Sequence, residues 1–195
     1  MKAMGIGILC GGRGSRMGGV DKGALRLNGQ TFLARISALA EDFDERLISG
    51  TPDVLPQGFR AWPDDVPGCG PMGGICTLLR HCESAALLIV ACDMPLMSRA
   101  AMSALRRAWF PGLAACALET APGQLEPLAA IYGREACLPA MNRALAEGRW
   151  RLRGLLREVG AKPVPFADTS ATFNVNTPEE YDALLRGRPE TDFFQ

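Results

Sequence analysis

Apolar and polar residues along this chain fall into blocks, and the blocks alternate between two periods. Met4-Gly5-Ile6-Gly7-Ile8-Leu9 is an apolar run of strand length, which predicts a first strand buried on both faces. Phe32, Leu33, Ile36, Leu39, Ala40 and Phe43 then recur at helical spacing behind Thr31, a residue type suited to cap a helix. Arg46-Leu47-Ile48-Ser49 and Phe59-Arg60-Ala61-Trp62 read as short second and third strands, and Gly70-Pro71-Met72-Gly73-Gly74 opens a helix running to about Cys82. Ala86 to Ala91 is the clearest buried strand and ends at Cys92-Asp93-Met94-Pro95. Ser98 is placed to cap the next helix, which runs to about Trp109.

The second half is less regular. Leu113 to Leu118 and Pro127 to Tyr132 read as strands, Arg134 to Glu147 and Arg151 to Val159 as helices, and Lys162 to Phe166 as a short strand. Thr177-Pro178-Glu179-Glu180 has a cap residue, a proline at the first helical position and a glutamate where a capping box requires one. It predicts a last helix to about Leu185. Strands alternating with helices predict an α/β fold with a mostly parallel sheet and helices on both faces. In such sheets ligands bind outside the carboxyl ends of the strands, which puts Asp64, Asp93 and the segment after Leu9 on one rim.

Composition narrows this picture. The chain has 195 residues, 48% hydrophobic and 22% charged, enough for one domain with a full core. Residues 187–195 read as a flexible tail. With 21 basic and 21 acidic residues, the chain lacks the basic excess of a nucleic-acid surface. Seven cysteines lie scattered in apolar runs without a CxxC pair. This argues against a zinc site or a disulfide framework and for free thiols in a reducing cytoplasm. The start of the chain does not have the form of a signal peptide, and no apolar run approaches the ~20 residues that span a bilayer.

The chemistry is concentrated in Leu9-Cys10-Gly11-Gly12-Arg13-Gly14-Ser15-Arg16-Met17-Gly18-Gly19-Val20-Asp21-Lys22. Glycines let the backbone approach a ligand closely, successive N–H groups form an anion nest, and fixed cations add charge-assisted hydrogen bonds to phosphate. A strand ending in such a loop is suited to a polyphosphate. It is neither of two familiar loops: Lys22 follows Asp21 and precedes Gly23, so GxxxxGK[ST] is absent, and GxGxxG fails because Gly12 and Gly14 lead to Met17.

The segment resembles the opening motif of the molybdenum cofactor guanylyltransferases, LAGGxxxRMGGxDKG. Leu9, Gly11, Gly12, Arg16, Met17, Gly18, Gly19, Asp21, Lys22 and Gly23 match it, while Cys10 stands where alanine is usual. Cys92-Asp93-Met94-Pro95 resembles the family's CDxP element, whose aspartate binds magnesium; a lone carboxylate after a buried strand suits Mg²⁺ held partly by substrate phosphates. Asp64 or Asp65, ahead of Gly70-Pro71-Met72-Gly73-Gly74-Ile75, resembles the nucleotide-site element D…GPLAGI, with Asp64 the better match. A carboxylate there can accept hydrogen bonds from guanine's N1–H and 2-amino group. The family's asparagine after the second strand falls here on Ser49 or Gly50. Phe173-Asn174-Val175-Asn176-Thr177-Pro178-Glu179 resembles FxNxNTPE, where Asn174 and Asn176 either meet the pterin or its phosphate or organise the turn into the last helix. Arg151 matches a basic position near the acceptor phosphate, with Arg149 and Arg153 competing for it, and Gln124-Leu125-Glu126-Pro127-Leu128 resembles a segment beside the acceptor. His81, the single histidine, reads as a helix-end residue.

The resemblance spans Ile8 to about Leu185. It implies a Rossmann-like three-layer fold of the nucleotide-diphospho-sugar transferase type, with Mg²⁺ as cofactor. It also implies transfer of GMP from Mg-GTP to the phosphate of molybdenum-bound molybdopterin, with release of pyrophosphate. Arg16, Lys22 and Asp93 would carry catalysis, with Asp93 on the metal. Leu9, Cys10, Gly11, Gly12, Lys22, Ser49, Asp64 and Asp93 would bind nucleotide, and Arg151, Asn174 and Asn176 the acceptor. Molybdoenzymes or other cofactor-biosynthesis proteins are the implied partners. GTP is favoured over CTP by Gly11-Gly12 and by the DKG and GPxGGI elements. The competing readings are transfer from CTP or to another phosphorylated acceptor, and a non-catalytic nucleotide- or cofactor-binding module.

Overall fold

The computed structural model describes residues 4–10 and 21–187. The expected tail, Arg16 and the glycines from Gly11 to Gly19 lie outside the described residues. In chain order the elements are β1 (Gly5–Leu9), β2 (Arg26–Leu27), β3 (Gln30–Thr31), α1 (Phe32–Ala38), β4 (Arg46–Ser49), β5 (Arg60–Trp62), α2 (Gly70–His81) and β6 (Ala86–Ala91). They continue with α3 (Arg99–Ala108), β7 (Ala115–Ala121), β8 (Gln124–Gly133), α4 (Arg134–Ala146), α5 (Leu152–Glu158), β9 (Lys162–Pro165) and α6 (Pro178–Leu185).

Seven strands form one sheet in the order β5-β4-β1-β6-β8-β7-β9. Every neighbouring pair is parallel except those made by β8, which runs antiparallel to both β6 and β7. Strand β1 sits near the centre, with Leu9 opposite Ser49 on one side and Ala91 on the other. Side chains alternate between the two faces. Ile6, Ile8, Leu88, Val90, Cys116 and Ile131 pack with Leu33 and Ile36 of α1 and Met102 and Leu105 of α3. Leu47, Leu87, Ile89, Ala117 and Tyr132 pack with Met72, Ile75 and Leu78 of α2, Met141 of α4 and Leu155 of α5. Two apolar faces under two helical layers explain why the central strands are continuous hydrophobic runs. A third cluster of Leu27, Phe32, Val175 and Leu184 seats α6 beside the β2–β3 hairpin.

The expected caps are in place. The hydroxyls of Thr31, Ser98 and Thr177 accept from the N–H of Ala34, Ala101 and Glu180, and Thr177 with Glu180 completes a capping box. Several bounds move. Helix α1 ends at Ala38, and Leu39, Ala40 and Phe43 follow it in turns, with Ala40 and Phe43 still buried in the core. Strands β7 and β8 run past their expected ends as far as Ala121 and back from Gln124. The β2–β3 hairpin, turning at Asn28-Gly29 with positive φ at both residues, joins the expected elements. Among the described residues no helix is long and apolar enough to cross a membrane.

Candidate active site

Four strands end on one rim. Cys10 follows β1, Ser49 closes β4, Asp64 stands two residues beyond β5, and Cys92-Asp93 follows β6. Cys10 donates its N–H to Ser49 O at 2.8 Å and Cys92 donates to Leu9 O at 3.0 Å, so the ladder extends into these residues and fixes them.

The centre of the rim is Lys22. Its ammonium donates to Asp93 Oδ2 at 2.9 Å and to Asn176 Oδ1 at 2.7 Å. Both Lys22 and Asp93 are largely shielded, with side chains 16% and 15% exposed. An ammonium has three N–H donors, so one remains for an incoming oxygen anion. Lys22 is positioned by the preceding residue: Asp21 caps the short turn 22–24 by accepting from the N–H of Gly23 at 2.9 Å. Asp93 is fixed through its backbone, because its carbonyl accepts from the N–H of Val175 at 2.9 Å. That bond ties the end of β6 to the segment carrying both asparagines.

Two buried oxygens, Asp93 Oδ1 and Asn174 Oδ1, have no hydrogen-bond partner among the described residues. A buried acceptor without a partner is costly, and hard oxygen donors of this kind suit Mg²⁺. No group of three or more His, Cys, Asp or Glu side chains among the described residues is arranged to hold a metal ion. An ion at Asp93 would therefore draw on substrate phosphates and water, as Mg²⁺ usually does.

The two asparagines divide their work. The side chain of Asn176 meets Lys22 while its N–H, with that of Thr177, bonds Glu180 Oε2 at the mouth of α6. Asn174 donates to Thr172 O at 3.1 Å and is left with the unpartnered Oδ1. Asn176 faces Lys22 on the rim, and half of the Asn174 amide organises the turn.

Asp64 and Asp65 separate sharply. Asp64 accepts a short hydrogen bond from the buried hydroxyl of Ser49, at the end of β4. Asp65 is tied to α2 instead: its N–H bonds Thr77 Oγ1 at 2.9 Å, and its carboxylate pairs with Arg80 at 3.1 Å and lies 3.5 Å from His81. His81 stacks on Trp62 at 5.1 Å between ring centroids, away from the rim cluster. The glycines of α2 serve the Ser49–Asp64 contact. A Cβ on Gly74 would lie 2.5 Å from Ser49 Oγ and 3.2 Å from Leu9 Cδ2, and one on Gly73 would lie 3.0 Å from Val66 O. Only glycine lets the first turn of α2 sit this close.

Of the basic residues expected near an acceptor, Arg151 is the exposed cap residue of α5 and makes no ion pair among the described residues. Arg149 is engaged with Glu147 at 2.7 Å and Glu158 at 3.1 Å. Glu126 lies close enough to Asp93 for the two carboxylates to influence each other. Ala117 pairs with Ala130, but Leu118 pairs with Glu126, so Pro127, Leu128 and Ala129 bulge from β8. Tyr132 pins the bulge by donating to Pro127 O at 2.9 Å, and Glu126 accepts from the N–H of Leu128 at 3.0 Å. Burial pushes the Glu126 carboxyl up and nearby Asp93 adds to this, against the Leu128 N–H and Arg153, which pull it down. No sequence spacing announces a bulge of this kind. Interaction with the neighbouring Cys10 first, then burial, holds the Cys92 thiol well above its ordinary value.

Charged groups gathered at the carboxyl rim of a mostly parallel sheet mark the class of α/β proteins that hold nucleotides there. The family profile described as MobA-like NTP transferase domain matches residues 6–163, and the chain belongs to that family. A probable molybdenum cofactor guanylyltransferase of Synechococcus elongatus is 32% identical over 188 residues, covering 91% of this chain and 95% of that protein. The molybdenum cofactor guanylyltransferase of Cereibacter sphaeroides is 31% identical over 196 residues, covering 95% and 98%. The crystal structure of molybdopterin-guanine dinucleotide biosynthesis protein A from Archaeoglobus fulgidus superposes with a TM-score of 0.75 at 22% identity, covering 94% of this chain and 97% of that one. That likeness is one of fold.

Proposed function

We propose that this chain transfers GMP from GTP to the terminal phosphate of molybdenum-bound molybdopterin and releases pyrophosphate. The observation that carries the reading is the shielded Lys22–Asp93–Asn176 cluster with its unpartnered carboxylate oxygen. The names and near-complete coverage of the relatives support the donor and acceptor.

In this reaction an acceptor phosphate oxygen attacks the α-phosphorus, and the bond to the bridging oxygen of pyrophosphate breaks. Negative charge grows on the leaving group, so catalysis rests on placement and electrostatics. Asp93 is the residue that would hold Mg²⁺, which when bound supplies charge neutralisation at the phosphates. Lys22 directs its remaining N–H at the triphosphate, and Asn176 and Asp93 keep the ammonium aimed. Arg16, with Gly11 and Gly12, belongs to the same triphosphate cradle, and Leu9 and Cys10 lead into it. Asp64, oriented by Ser49, accepts from N1–H and the 2-amino group of guanine. Arg151 and the two asparagines hold the acceptor. Residues 1–100 thus serve the nucleotide and 101–186 the acceptor. Free thiols throughout suit a reducing cytoplasm, where we place the reaction.

The test is pyrophosphate release from GTP, CTP, ATP and UTP in turn, with Mg²⁺ and molybdenum-bound molybdopterin. Release with GTP alone is expected. Release with CTP alone would overturn the assignment of Asp64, and silence with all four from protein that still retains GTP would overturn the acceptor.

A further inference from the structure

Of the seven cysteines six are buried, and Cys10 is the one with solvent exposure. It is also the residue that departs from alanine in the opening motif, and the transfer chemistry makes no use of its sulfur. Its neighbour across the sheet is Cys92. Leu9 and Ala91 are register partners in the parallel β1–β6 ladder, so Cys10 and Cys92 stand side by side one step further on. Backbone bonds from Cys10 to Ser49 and from Cys92 to Leu9 hold both there. Neighbouring strands lie about 4.8 Å apart, inside the Cα separation of about 4.4–6.8 Å that a disulfide requires. The two side chains share a face as well, because Cys92 belongs to the cluster of Ile8 and Val90 and Cys10 packs against the same cluster.

The geometry points to a reversible disulfide between Cys10 and Cys92, formed by exchange with a small external disulfide, that closes the nucleotide site. The Cys10 thiolate attacks one sulfur of the external disulfide and expels a thiolate, giving a mixed disulfide on Cys10. Cys92 loses its proton to that thiolate, attacks Cys10 Sγ and expels the second thiol. Two protein thiols are oxidised, one external disulfide is reduced to two thiols, and no further reactant is needed. Exposure selects Cys10 as the point of attack, and position selects Cys92 as its resolving partner.

The bond would act on the residues next to it. Cys10 leads directly into the glycine segment, and Cys92 directly precedes Asp93. A Cβ added at Gly23 would lie 3.9 Å from Cys92 Cβ, so the turn carrying Lys22 rests against the same sulfur-bearing residue. Drawing the two sulfurs together to a bond of ~2.05 Å shifts both strand ends at the place where phosphates and Asp93 must align. Misplacement of about 1 Å can cost on the order of 100-fold in a preorganised site.

This regulation rests on the guanylyl-transfer reading for its consequence but not for its chemistry, and the test separates the two. The full chain is incubated with oxidised glutathione, digested without reduction and mapped by mass, and Mg-GTP retention is measured before oxidation, after it and after dithiothreitol. We expect a linked Cys10–Cys92 peptide two hydrogens lighter than the sum of its parts, with retention roughly tenfold lower and restored by the reductant. In Cys10→Ala, retention after oxidised glutathione should equal retention before it in the same variant. Recovery of Cys10 only as its glutathione adduct, or a linked peptide with unchanged retention, would overturn the inference. A reduced protein that retains no GTP would instead count against the transfer reading, while the mass map still reports the bond.

Discussion

At the residue scale the rim assigns different tasks to two aspartates of similar appearance in the sequence. Asp93 contributes its carbonyl to the fold, through Val175, and its carboxylate to the site, through Lys22. Truncating the side chain spares the first contact and removes the second. Asp93→Ala should therefore unfold within a few degrees of the parent while kcat falls on the order of 100-fold or more, as read by thermal melts and pyrophosphate release. A variant that keeps full turnover would remove Asp93 from the chemistry. Asp64→Ala should do the opposite. Its partner is the buried Ser49 hydroxyl, and in the proposed reading it meets the base, so the preference for GTP over the other nucleotides should fall about tenfold, worth ~1.4 kcal/mol, with kcat for saturating GTP changed less.

At the scale of elements the meeting of α2 with the ends of β1 and β4 is the most exacting contact in the nucleotide half. Adding a methyl at Gly74 has two opposed effects. Alanine gains about 1 kcal/mol of helix propensity, and crowding Ser49 Oγ and Leu9 Cδ2 costs about 1–3 kcal/mol. Crowding outweighs propensity by up to about 2 kcal/mol, so Gly74→Ala should melt at or a few degrees below the parent. Ser49 must still move, however, and Asp64 with it, so the KM for GTP should rise several-fold. A variant with unchanged KM would show that Ser49 does not orient Asp64. The same elements show what sequence could and could not convey. Strands β4 and β6 were legible to the residue because they are buried on both faces, and the caps at Thr31, Ser98 and Thr177 because capping depends on local chemistry. The ends of β7 and β8 were not, because Glu119, Thr120, Gln124 and Glu126 are polar and lie beyond the covered sheet. The β2–β3 hairpin had the Asn28-Gly29 signal but strands of two residues, too short to show a period. Within the site, the resemblance picked out Lys22, Asp93 and Asn176 one by one. Their convergence joins residues 154 positions apart, and only the tertiary fold brings them together. The bulge carrying Glu126 and the facing thiols of Cys10 and Cys92 likewise depend on register between distant strands.

At the scale of the whole molecule the parallel sheet has two unlike ends. The carboxyl ends carry charged side chains and, among the described residues, an unpartnered carboxylate oxygen on Asp93. The opposite ends are closed by a residue whose partners are fully assigned. Glu45, just before β4 and 2% exposed, accepts at its carbonyl from the N–H of Ile6 in β1 at 2.9 Å. Its carboxylate accepts from the N–H of Glu83 and of Ser84 at 2.9 Å each, from Ser84 Oγ at 2.5 Å and from Arg60 of β5 at 2.7 Å. One side chain thus ties the starts of β4 and β6 to β5. Burial alone would push this carboxyl up, but the bonds from Ser84, Glu83 and Arg60 outweigh it and hold Glu45 below its ordinary value. A group whose folded-state value is depressed binds its proton more readily when unfolded. Its stabilisation is complete above the ordinary carboxylate range and is lost as pH falls through the depressed folded value. The Glu45→Gln variant replaces an acceptor oxygen with a donor facing other donors, leaving at least one buried N–H without a partner. It should be less stable than the parent by about 2 kcal/mol at neutral pH. The gap should narrow on acidification below pH ~4, because only the parent has this carboxylate to protonate. Urea unfolding of both proteins across that range is the measurement, and a gap that stays constant with pH would show that the Glu45 carboxylate does not hold the closed end of the sheet.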